Sequence, residues 1–149
     1  MLVRISTLSS FIAAPGSVSM KATTIVTRGA PEEVERLVGM SASSMVTQGE
    51  PAKPGTRPLK RSVAQWSVEF EESTRMDEMI PALISRVGGV ENLLRVRREV
   101  APEFLEVDLA MWIKDSEEQE GGFIDLPTVE ILAKVGATLS FGFYSRHAA

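Results

Sequence analysis

The stretch at residues 104–114, FLEVDLAMWIK, decides the fold. Leu105, Val107, Leu109, Met111 and Ile113 alternate with Phe104, Glu106, Asp108, Ala110 and Trp112. Successive side chains of an extended strand point to opposite faces, so this is a strand with one fully apolar face and one that carries acids and aromatics. A strand of a doubly covered parallel sheet reads as a continuous apolar run, whereas a one-sided pattern belongs to a sheet with helices on one face only. The expected class is α+β.

The flanking segments fit that expectation. Residues 21–28, KATTIVTR, are rich in β-branched residues and read as a strand. Residues 31–39, PEEVERLVG, read as a helix, with Pro31 at its first position, Glu32 and Glu33 at the positive end of its dipole, and Gly39 as its stop. Residues 62–70 alternate, with Ala64, Trp66, Val68 and Phe70 on one face, and read as one strand with Trp66 in the core. Residues 74–87 repeat at helical spacing through Met76, Ile80, Leu83, Ile84 and Val87, and a start near Asp77 accommodates Pro81. Residues 90–98 add one or two helical turns. Residues 126–136, LPTVEILAKVG, are a helix with Val129, Leu132, Ala133 and Val135 turned inward, and residues 138–145 alternate as a last strand with Leu139, Phe141 and Phe143 toward the core. The order gives a four- or five-stranded mixed or antiparallel sheet with about three helices on one face. Residues 40–60 show no period, and PAKPGTRP at 51–58 holds three prolines, so this is a long loop.

A chain of 149 residues makes one domain, assigned to residues 20–149. Residues 1–19 read as an N-terminal extension or an extra edge strand at 2–6; their serines and threonines dilute any signal-peptide pattern. No apolar run is long enough to span a membrane. The absence of cysteine excludes disulfides, thiolate zinc sites and thiol nucleophiles, and fits a cytoplasmic location. A single histidine, His147, near the end of the chain, leaves no triad and no imidazole cluster. No cofactor, metal or catalytic residue is assigned, and the chain is read as non-enzymatic.

Charge is unevenly spread. The net charge is -4, yet residues 99–130 hold ten acids against Lys114 alone. An acidic patch of this kind suits a basic partner. Glu106, Asp108, Trp112 and, on the neighbouring strand, Tyr144 are the candidate partner-binding residues, because a flat acidic surface with aromatic anchors has the composition of a protein-binding site; the competing reading is that residues 1–19 cover this face and leave Trp112 as a core residue. The alternative is a small-molecule or anion-binding domain using the 49–61 loop, with Arg57, Lys60 and Arg61 as ligands. Arg95, Arg97 and Arg98 form a further basic cluster, but without Gly-rich or aromatic-interleaved companions nucleic acid is not expected as a partner. Homo-oligomerisation stays open.

The order of motifs resembles the bacterial domain-of-unknown-function family numbered 4279. That family has a strand followed by a "PEE" helix, a "G-D/E-P" loop, a "W-x-L" strand, and a closing helix that ends in glycine before an aromatic strand. The corresponding positions are 31–33, 49–51, 66–68, 126–136 and Tyr144, so the resemblance covers about residues 20–145. It implies an α+β fold and a bacterial origin, and brings no activity or site residues. The function expected is that of a protein-binding domain, of immunity or inhibitor type, that presents an acidic face to a basic partner.

Overall fold

The computed structural model describes residues 17–20, 23–27, 30–71, 74–113 and 122–145. In chain order the elements are β1 (Ser17–Met20), β2 (Thr23–Thr27), α1 (Pro31–Val38), β3 (Ser44–Val46), β4 (Ser62–Gln65), β5 (Val68–Glu71), α2 (Met76–Arg86), α3 (Gly89–Glu99), β6 (Phe104–Ile113), α4 (Leu126–Val135) and β7 (Thr138–Ser145).

The α+β class holds, but the strands divide between two sheets. Five of them form a sheet in the order β3-β4-β2-β6-β7, and β1 pairs with β5 in a separate ribbon. All ladders are antiparallel except β6–β7, which is parallel and joined by the α4 crossover. The described helices are four, not about three: residues 90–98 belong to a full helix, α3, which Val87 and Gly88 separate from α2.

The ribbon continues the β2–β4 pair after an offset. Thr24 stands opposite Gln65 and Met20 opposite Val68, so the two ladders differ by one residue in register. This splits the strand expected over 62–70. The physical cause is a pair of hydrogen bonds made by Ser43. The amide of Ser67 donates to Ser43 Oγ at 2.8 Å, and the amide of Ser43 donates to the Gln65 carbonyl at 2.7 Å, so the backbone leaves the ladder immediately after Gln65.

The core lies between the large sheet and the helices. Ile25, Ala64, Leu105, Val107 and Leu109 supply it from the strands, Val34, Leu37, Val38, Ile80, Leu83, Val87, Leu93, Val96 and Leu132 from the helices, and Trp66 closes one side. Trp66 is 1% exposed, and its indole Nε1 donates to the Met40 carbonyl at 2.9 Å, which satisfies the one polar atom such a burial would otherwise strand.

α2 begins at Met76, one residue from the start expected near Asp77, with Pro81 inside the helix; its missing bond falls on the Asp77 carbonyl one turn back, and Pro81 itself is exposed. Two further expectations are corrected. The region 40–60 is not an irregular loop throughout, because β3 pairs with β4 along the sheet edge and Pro51 bridges Pro58. In α4 the buried residues are Thr128, Leu132 and Val135, while Val129 is 48% exposed and Ala133 is exposed. The reason is that α4 is apolar almost all round, so its period selects no face and packing on α2 and α3 does; Asp125 caps its start, accepting from the Thr128 amide at 3.0 Å. The extra strand expected at 2–6 lies outside the described residues.

Candidate functional site

The parity of β6 sorts its residues. Leu105, Val107 and Leu109 are buried under the helices, which turns Glu106, Asp108, Ala110 and the backbone position of Trp112 to the opposite side of the sheet. Residues two apart on one face are separated by about 7 Å, so Glu106 and Asp108 are near neighbours.

The ladders extend this face across the sheet. Glu106 stands between Thr24 of β2 and Thr138 of β7, and Thr24 is itself opposite Gln65 of β4. Asp108 is opposite Ser140, whose hydroxyl donates to Asp108 Oδ1 at 2.9 Å. That bond fixes one carboxylate oxygen and leaves the other for a second donor. The next rows pair Ala110 with Gly142 and Trp112 with Tyr144. Glu106, Asp108, Val63, Gln65 and Ser140 are all half-buried, as expected of side chains that stand close together on a flat sheet. The four candidate partner-binding residues thus occupy one stripe on two adjacent strands; the side chains of Trp112 and Tyr144 lie outside the described residues. So do residues 114–121 and His147.

The anion-binding candidates sit differently. The 47–60 segment is a ribbon bonded to itself: the Gly49 amide donates to the Leu59 carbonyl at 2.9 Å, Leu59 returns the bond to Glu50 at 2.8 Å, and the Thr56 amide donates to Lys53 at 3.1 Å. Those amides are spent within the ribbon. Arg61 Nε donates to Glu103 Oε2 at 2.6 Å, and the same guanidinium reaches the Lys60 carbonyl. Arg57 and Lys60 are exposed.

Two of the three arginines of α3, Arg95 and Arg97, are structural, while Arg98 is exposed. Arg95 donates to the Leu37 carbonyl at 3.0 Å and to Asn92 Oδ1 at 2.7 Å, and Asn92 Nδ2 donates to the Val38 carbonyl at 2.8 Å. Arg97 Nε donates to the Val135 carbonyl at 2.8 Å, and its other nitrogens reach the carbonyls of Gly136 and Pro102. The last carbonyls of a helix have no partner within it and carry the negative end of its dipole, so a guanidinium satisfies both demands. α3 thereby closes the C-termini of α1 and α4. Nothing in the sequence signals this, because the acceptors are carbonyls 38 to 58 residues away.

Among the described residues no three acids or histidines gather in a way that could hold a metal ion, and no helix is long and apolar enough to cross a membrane. The model of a family described as a domain of unknown function, DUF4279, matches residues 23–146. No curated protein and no solved structure matches.

Proposed function

The chain belongs to the DUF4279 family, and within it we propose a non-enzymatic protein-binding domain that presents the helix-free face of β6 and β7 to a basic partner. The observation that carries this reading is the register: Glu106, Asp108 and Trp112 on β6 lie beside Thr138, Ser140 and Tyr144 on β7 on one sheet face, with the Ala110–Gly142 row between the last two. The carboxylates supply attraction and orientation, the aromatic positions supply the anchors, and hydroxyls between them accept or donate at short range. A bacterial immunity or inhibitor role in the cytoplasm fits these features, with the target as the basic partner.

The test is affinity capture from the native host with the wild-type chain and an E106Q/D108N/W112A variant. The reading expects a basic protein that the wild type retains, that raised salt weakens and that the variant loses. Equal retention by both chains overturns it. The variant keeps the shapes of both carboxyl side chains, and the amide oxygen that D108N introduces still accepts from Ser140, so loss of binding reports on charge and the indole.

A further inference from the structure

We propose that α4 is the contact surface of a symmetric homodimer. Of the large exposed apolar residues, Leu126 at 68% and Val129 at 48% both stand on α4, and Ala133 lies exposed beyond them on the next turn. These positions recur at i, i+3 and i+7 and form one stripe. The helix has only three polar residues, of which Thr128 is buried, so a helix with the composition of an interior one stands at the surface.

Charge identifies the occupant. Glu130 and Lys134 are exposed beside the stripe, one turn apart, and no ion pair joins them to each other or to another described residue. A patch with one acid and one base is a poor match for a strongly basic or strongly acidic partner. It matches itself. In a twofold contact the same patch meets its copy with helices antiparallel, and residues equidistant from the axis face each other. Glu130 and Lys134 are equidistant from Leu132, so an axis beside Leu132 and Ala133 brings each Glu130 opposite the other copy's Lys134. The small side chain of Ala133 permits close approach at the crossing. This surface lies on the helix side, opposite Glu106 and Asp108, and stands or falls separately from the partner-binding face.

Sedimentation equilibrium of the full chain, with circular dichroism as the check on folding, decides the matter. The wild type is expected to dimerise reversibly. E130K and K134E should each raise the dimer dissociation constant by about tenfold or more, since each places like charges face to face, and the E130K/K134E double variant should regain most of that loss. V129D should be monomeric. A wild type that stays monomeric at all concentrations, a dimer indifferent to V129D, or a double variant no better than the single ones overturns the proposal. All three positions are exposed in the protomer, so none of these variants threatens the fold.

Discussion

Asn92 and Val38 join two helices: the side-chain amide of the first donates to the terminal carbonyl of the second at 2.8 Å, so α3 closes α1 from the side. The fit is tight. Gly88, at φ 80°, packs against the same two groups, and a Cβ placed there would overlap both the Asn92 amide and the Val38 carbonyl oxygen.

Gly88→Ala should therefore be costly twice over, once for the left-handed backbone and once for the displaced bond, with a loss of about 2–3 kcal/mol in urea unfolding. Gly55 supplies the control. Its φ of 81° is equivalent, but nothing lies within 4 Å of its missing Cβ. Gly55→Ala should lose only the backbone component, roughly 1 kcal/mol. Equal losses at the two sites would show that the packing against Asn92 contributes nothing.

Arg97 and Arg98 are neighbours with opposite duties. Arg97 serves three carbonyls at the end of α4 and its surroundings, while Arg98 is exposed in the last turn of α3. Arg97→Ala should cost about 2 kcal/mol, because three carbonyls, two of them part-buried, lose a charged donor, and Arg97→Lys should recover less than half, since an ammonium cannot span the fork. Arg98→Ala should stay within about 0.5 kcal/mol of the wild type. The comparison is read from the midpoints of chemical denaturation.

Trp66→Phe tests whether the indole matters as a donor or only as volume. The Met40 carbonyl loses its partner in a site 1% exposed, and phenylalanine leaves part of the space empty. A loss of about 2–3 kcal/mol is expected. In a Trp112→Phe background, where Trp66 is the remaining tryptophan, native emission should be blue-shifted and resist iodide, and the protection should vanish on unfolding.

What could be read from residues alone follows from where the decisive interactions are local. The alternation of β6 declares both its faces, and Pro31, Glu32, Glu33 and Gly39 declare both ends of α1, because strand parity and helix termini are encoded within a few residues. The helix-free stripe of Glu106 and Asp108 was legible for the same reason. Other features rest on distant partners. The break after Gln65 needs Ser43, the indole of Trp66 needs Met40, and the arginines of α3 need the ends of α1 and α4. α4 misled through its composition: with apolar residues on nearly every side, its inward face was set by packing on α2 and α3.

Two surface carboxylates give the pH dependence its sign. Glu33 lies below its usual value because it accepts from Arg36, whose guanidinium donates at 2.6 and 3.1 Å, and Asp77 lies below its own because it accepts from Arg75 at 2.9 and 3.0 Å. A carboxyl whose pKa is lower folded than unfolded stabilises the fold above its unfolded value and loses that contribution as pH falls through the folded one. Both pairs are exposed, so their weight in stability is small and salt-screened. The direct measurement is carboxyl titration by NMR. Glu33 should titrate at lower pH than an ordinary glutamate, and Arg36→Gln should return it toward the usual range without moving Asp77; Arg75→Gln should do the converse. A Glu33 titration unmoved by Arg36→Gln would mean that the pair does not persist in solution, and the acid limb of the stability curve would then owe nothing to it.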